Sequence, residues 1–382
     1  MEKKEQQHKR RVRYKGTHPR NYKEKYKELQ PEKYADTIQK VIEKGSTPAG
    51  MHISIMVKEI LDFLQIQPGQ TGLDATLGYG GHTSEMLKCL QAEGHIYALD
   101  VDPIEMEKTR ERLQKKGYGP EILTIIQKNF ADIDQVAEQA GKFDFVLADL
   151  GVSSMQIDNP DRGFSYKTDG PLDLRLNPQK GVSAAQRLKE VTQEELEGML
   201  VENSDEPFAE EIARAVMQEL KKGNEVSTTT QLRRIIEKAL CRVPEKEREE
   251  AVKKSCQRTF QALRIDVNSE FEVLEAFLEK LPDVLAEGGR AAILTFHSGE
   301  DRLVKKSFKQ LCKAGVYREV STEVIRQKKS TCKVYKNALG RQSITRSLKT
   351  MAWRFISNYG LHAVFCNMAV TTLFYPLTGW MK

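Results

Sequence analysis

Three glycines, at 78, 80 and 81, follow the apolar run Leu73 to Leu77 and lead directly into His82 and Thr83. Residues without a Cβ let a ligand reach the main chain, and the free N–H groups of a helix start attract its polar or anionic groups. About twenty residues on, the run His95 to Asp102 ends a second apolar stretch in acids, and a carboxylate at Asp100 can accept hydrogen bonds from both hydroxyls of a ribose. That is chemistry for an adenosine cofactor. The glycine pattern is G-x-G-G, with Thr83 standing where a dinucleotide fingerprint places its third glycine. A cofactor with no pyrophosphate to wrap, S-adenosylmethionine, therefore fits better than NAD.

Other polar clusters fall where strands are expected to end. One is Asp149 with Ser153, Ser154 and Gln156, and another runs from His297 to Arg302. A single loop acid is usually a helix cap. Four clusters on the carboxyl edge of one sheet, where open α/β sheets bind ligands, point instead to a site. The spacing of His82, His297 and the acids matches no standard zinc motif, so no metal is expected.

The elements that must position these groups alternate. Strand-like runs at 73–77, 96–99, 122–126 and 143–147 are separated by helix-periodic segments at 83–91, 104–116 and 133–140, which predicts an α/β fold with a doubly wound, Rossmann-type parallel sheet. The alternation then stops. Residues 158–257 read as an all-helical insertion, with helices at 194–201, 210–220, 230–240 and 245–253. The α/β pattern resumes with a helix at 270–281 and a strand from 285 to 296, so residues 51–157 and 258–325 form one discontinuous domain.

Residues 1–50 form a basic extension and linker. His8 to Lys15 and the lysines and tyrosines at 22–27 mix cations with aromatics, as phosphate pairing and base stacking would require, and as a solvated tail also could. Residues 326–382 read as an atypical tail. Residues 355–381 carry no Lys, Arg, Asp or Glu, yet Asn358, Gly360, His362, Asn367 and Pro376 interrupt every apolar run. Neither helix nor strand nor membrane anchor is expected there. Six scattered cysteines without a C-x-x-C, and a charged start without an apolar signal segment, predict a cytoplasmic protein. A net charge of +6 permits nucleic-acid binding.

Taken together these motifs resemble the S-adenosylmethionine-dependent methyltransferases that modify N4 of a cytidine in the decoding region of bacterial small-subunit (16S) ribosomal RNA. The likeness runs from about residue 52 to 306 and rests on Asp74 to His82, Ala98 to Pro103, Ala148 to Ser154 with Gln156 and Asp158, Arg162 to Ser165, Gly170 to Arg175, Phe260 to Arg264, and Thr295 to Ser298 leading to Glu300, Asp301 and Arg302. The resemblance implies cofactor contacts at Gly80, Gly81, His82, Asp100, Phe130, Asp149 and Gln156. It also implies an RNA partner within an assembling 30S subunit, and a helical insertion that helps hold it. Ser54 and Gly299 stand where that family usually has Pro and Leu, and its basic C-terminal pattern is echoed only loosely.

Cytosine N4 is a poor nucleophile, so a site must orient the amine and accept its N–H bonds. Asp149 could do this as a catalytic acceptor or could bind the cofactor's amino-acid moiety, and cofactor binding is favoured. The loop from Asp149 to Val152 has no aromatic to stack on a base, which leaves Phe164 or Tyr166. Arg258, Arg264, Arg302 and Lys305 are candidate phosphate contacts, with pairing to nearby acids as the alternative. An NAD(P) oxidoreductase is disfavoured by the missing third glycine and by the absence of a catalytic Tyr-x-x-x-Lys. A non-catalytic RNA-binding assembly factor would be expected to lose the glycine loop or Asp100.

Overall fold

The computed structural model describes residues 54–320 and the strand backbone of 362–368. The expected basic extension lies outside the described residues, as does most of the expected tail. Strands β1 (Thr71–Asp74), β2 (His95–Asp100), β3 (Leu123–Gln127), β4 (Phe143–Asp149) and β5 (Leu285–Thr295) are parallel, in the spatial order β3-β2-β1-β4-β5. A strand covered on both faces reads as a continuous apolar run, and Phe145, Val146, Leu147 and Ala148 of β4 are all buried.

Helices α1 (Val57–Leu64), α2 (Gly81–Leu90) and α3 (Pro103–Lys115) contribute Ile60, Met86 and Leu113 to one core with Phe145 and Leu147. Helix α4 (Ile133–Ala140) packs Ile133 and Val136 in a second core with Val146 and Ala148.

After β4 come α5 (Ser154–Asp158), α6 (Ala184–Glu190), α7 (Gln193–Ser204), α8 (Ala209–Lys221), α9 (Thr229–Ala239) and α10 (Glu245–Asn268). Their apolar faces close on each other around Leu188, Leu200, Ile212, Leu232 and Ile236, a core separate from those of the sheet. Reciprocal capping boxes start α7 (Thr192 with Glu195) and α9 (Thr228 with Gln231). Helix α10 continues past Lys253, where the sequence pattern placed its end, and through Gln257, the expected edge of the insertion. Phe260 and Leu263 are the reason, because they bury in the helical core. The chain turns at Ser269 and returns to the sheet as α11 (Glu270–Val284).

Beyond β5 lie α12 (Ser298–Lys313), β6 (Tyr317–Val320) and β7 (His362–Met368). Strand β7 runs antiparallel to both β5 and β6, extending the sheet order to β3-β2-β1-β4-β5-β7-β6. This corrects the expectation that 355–381 holds no strand. The strand is fixed by backbone pairing with β5 and β6, partners distant in sequence that no local pattern in 355–381 announces. Among the described residues no helix is long and apolar enough to cross a membrane.

Candidate active site

Strand order reverses between β1 and β4, and the loops leaving their carboxyl ends define the crevice. The glycine loop after β1 is tightly seated. Gly80 has φ +74° and caps α2, and a Cβ there would lie 2.7 Å from Thr109 Cγ2, so only glycine fits. A Cβ on Gly81 would fall 2.1 Å from Ser54 Oγ, so the serine found in place of the usual proline packs directly against the loop. With no side-chain cap at Gly80, the first amides of α2 are left for a ligand.

Asp100 closes this loop from β2. Gly78 N–H donates to its Oδ2 at 2.8 Å and Asp102 N–H donates to its Oδ1 at 2.8 Å. Burial pushes the Asp100 carboxyl up to about 6, with the nearby Asp102 and Asp74 charges adding to the rise and the two N–H bonds opposing it. Each carboxylate oxygen keeps acceptor capacity for a ribose hydroxyl.

From β4, Asp149 donates its backbone N–H to Thr76 Oγ1 at 2.6 Å, while Asp74 at the end of β1 accepts from Thr83 Oγ1 at 2.6 Å and Thr76 N–H at 3.1 Å. Buried His82 brings Nε2 within 3.4 Å of Asp149 Oδ2, close enough for charge attraction but not aligned as a hydrogen bond. Burial lowers the His82 pKa, yet its contact with Asp149 and the charges of Asp149 and Asp74 outweigh that and raise it. Two buried polar atoms here, His82 Nε2 and Asp149 Oδ1, have no hydrogen-bond partner among the described residues. Buried polar atoms are normally satisfied, so a ligand's donor is the natural partner for Asp149 Oδ1.

The remaining expected cofactor residues are less free. Lys128 N–H pairs with Asp100 O at the end of β3, and Phe130 opens the following turn with its ring edge-on to Phe277 at 5.3 Å. Gln156 has both ends of its amide engaged, accepting from Ser153 N–H at 2.9 Å and donating to Asp102 Oδ2 at 2.9 Å. Asp102 and Arg162, neither singled out in the sequence beyond their motifs, form a buried ion pair of 2.6 Å in the same network.

Of the cations expected to meet phosphate, Arg264 grips both oxygens of Glu270 at 2.8 Å and Lys305 pairs with Asp301 at 2.7 Å. Arg302 stands 3.8 Å from Asp205, both exposed. Arg258 has no hydrogen bond or ion pair among the described residues. Phe164 is buried in the helical core and Tyr166 packs edge-on against Phe260 at 6.0 Å, so neither presents a free ring to a base. Phe296 is the aromatic that lies beside the Asp149 loop, 3.6 Å from where a Cβ on Gly151 would sit.

His297 caps α12, its Nδ1 accepting from Glu300 N–H at 3.4 Å and its Nε2 standing 3.1 Å from Glu300 Oε1. Burial would push the Glu300 carboxyl up, but His297, with the Phe296 N–H and the Arg264 charge, outweighs it and holds the pKa below the usual value. Donor atoms of Glu270, His297 and Glu300 lie within 4.8 Å of one another, a spacing a metal could use. Arg264 already supplies positive charge to Glu270, and Phe296 N–H donates to Glu300 Oε2, so the group reads as an internally neutralised rivet between α10–α11 and β5–α12. Phe271 covers His297, with ring centroids 5.9 Å apart, and a Cβ on Gly299 would fall 2.5 Å from Phe271 Cζ. A side chain at 299 would have to displace the Phe271 ring, which fills the space that glycine leaves.

The donor set fits one cofactor. The glycine loop, the Asp100 carboxylate and the unpartnered Asp149 Oδ1 converge where the strand order reverses, a donor and acceptor set that S-adenosylmethionine could use. The class this fold and site define is an S-adenosylmethionine-dependent methyltransferase. A model of the MraW methylase family matches residues 49–351, and the chain belongs to that family. It is 74% identical over 325 residues to the ribosomal RNA small subunit methyltransferase H 1 of Lachnoclostridium phytofermentans, covering 85% of this chain and 89% of that one. Identity to the protein of the same name in Agathobacter rectalis is 65% over 328 residues, covering 86% and 94%. Among solved structures, an S-adenosylmethionine-dependent O-methyltransferase of Thermotoga maritima aligns with 84% of this chain and 68% of its own, with 11% identity and a TM-score of 0.38.

Proposed function

We propose that this methylase transfers a methyl group from S-adenosylmethionine to N4 of a cytidine in the decoding region of small-subunit ribosomal RNA, presented in an assembling 30S subunit in the cytoplasm. The observation that carries the reading is Asp149. Its main chain is fixed by Thr76, its Oδ2 faces His82, and its Oδ1 is buried without a partner on the cofactor edge. The names of the relatives supply the RNA, and the motif resemblance supplies the atom.

The cofactor, when bound, supplies an electrophilic methyl group. Asp100 would hold its ribose, Asp149 Oδ1 would accept from its ammonium group, the free amides after Gly80 would take its carboxylate, and Phe130 and Gln156 would line the site. Fixing the cofactor in this way leaves the base to be aligned by the loop from Asp149 to Val152 with Phe296 beside it. Residues 158–257 hold the RNA. Arg258 and Arg302 are the cations with fewest internal ties, and Arg264 and Lys305 would have to exchange carboxylate for phosphate.

The test is transfer of labelled methyl from S-adenosylmethionine to small-subunit particles and to free RNA, followed by nucleoside mass spectrometry. N4-methylcytidine at one position is expected. Label on protein or on cytosine C5 would refute the proposal.

A further inference from the structure

We propose that Arg162 is a positioning residue that sets the cofactor-binding acid Asp100 by clamping Asp102, so that the helical part of the protein determines how well the cofactor is held. The inference rests on the reading of Asp100 as the ribose partner.

The chain of contacts is short. Asp102 N–H donates to Asp100 Oδ1 at 2.8 Å, so the position of the Asp102 main chain orients the Asp100 carboxylate. The Asp102 side chain is fully buried and fixed from three sides. It caps α3 by accepting from Ile104 and Glu105 N–H, and its Oδ2 takes both Gln156 Nε2 at 2.9 Å and Arg162 Nη1 at 2.6 Å.

Arg162 itself follows α5 at the start of the helical part, and its side chain is only 7% exposed. Its other nitrogen, Nη2, donates to the carbonyls of Arg175 at 3.0 Å and Leu176 at 2.8 Å, and its own carbonyl accepts from Leu174 N–H at 3.2 Å. That turn is an unusual one, because buried Leu174 has φ +64°, a conformation that costs a branched residue energy. Asn268, the last residue of α10, holds it from the other side by donating to Leu174 O at 2.8 Å and accepting from Leu176 N–H at 2.7 Å. One guanidinium thus bridges the cofactor loop and a strained turn that only the packed helices keep in place. A planar fork with donors on two edges can do this, and a point charge can do half of it.

The experiment measures S-adenosylhomocysteine affinity by calorimetry and thermal unfolding for the full chain and five variants. Arg162→Met is expected to bind about tenfold more weakly, the scale of one charge-assisted hydrogen bond lost. Arg162→Lys retains the charge on Asp102 and should stay within about threefold of wild type. Should Arg162→Met not fold because Asp102 is left buried and unpaired, the neutral pair Arg162→Met with Asp102→Asn removes that charge and should bind as weakly as expected for the single variant. Arg187→Met breaks the 2.8 Å Arg187–Asp266 pair inside the helical part and serves as the stability control, with affinity unchanged. Asp100→Asn separates the two readings. If it weakens binding while folded Arg162→Met or the neutral pair binds normally, the positioning role is overturned. If it binds normally, the ribose assignment itself fails. An equal loss of affinity in Arg187→Met would also overturn the proposal, because affinity would then simply follow stability.

Discussion

At the scale of single residues, the acids of the crevice make distinct predictions. Asp100→Ala removes charge-assisted hydrogen bonds worth about 1.5–3 kcal/mol, and cofactor affinity should fall roughly tenfold or more with the fold retained. Because burial raises the Asp100 pKa to about 6, the ionised form proposed to accept the ribose hydroxyls is lost on acidification. Affinity for S-adenosylhomocysteine should therefore weaken by about tenfold per pH unit below that value. The effect on the free protein has the opposite sign. A carboxyl whose folded pKa is raised binds protons the unfolded chain does not, so its contribution to stability declines as pH rises from about 4 to about 6. Calorimetry and thermal melts across pH 4 to 8 check both signs, and a flat affinity profile would remove Asp100 from the site. The glycines, Asp100 and Asp149 were legible in the sequence because local motifs carry them. Arg162 and Asp102 are 60 residues apart, and nothing in either neighbourhood announces that they meet.

At the scale of elements, strand and helix order was legible because each element's period matches the faces it buries, and α4 begins and ends where its spacing predicts. Helix α10 was cut short because its exposed first half, dense in Glu, Lys and Arg, looks complete by itself, while the burial of Phe260 and Leu263 depends on helices distant in sequence. The start of α12 shows how an element tolerates a departure from its family. Gly299 lies in the first turn, where glycine is a poor helix former, and the loss is accommodated by Phe271 packing into the space over His297. Restoring leucine at 299 should therefore destabilise the protein by roughly 1–3 kcal/mol through overpacking. Combining Gly299→Leu with Phe271→Ala should recover part of that loss. Urea unfolding of the two single variants and the pair measures the coupling, and simple additivity would show that the two positions do not compete for one volume.

At the scale of the whole molecule, the sheet is completed by a segment outside the family match. That match ends at residue 351, whereas β7 spans His362–Met368 and lies between β5 and β6. Its register with β5 runs from Arg290↔Asn367 to Thr295↔His362, beside the last residues before His297 and α12. Removing β7 would leave the β5 edge with unpaired N–H and C=O groups and deprive β6 of its partner, the configuration that invites edge-to-edge association. The sequence gives no sign of this dependence, because nothing in an uncharged, interrupted run declares a strand. Truncation after Trp353 should lower the melting temperature and raise light scattering on storage, and it should weaken methyl transfer by loosening the β5–α12 junction. Truncation after Ala369 keeps β7 and should behave as the full chain does. If the shorter form is instead the more soluble one, with an unchanged melting temperature, the sheet is complete without β7 and the junction draws its rigidity from the Arg264, Glu270, His297 and Glu300 group alone.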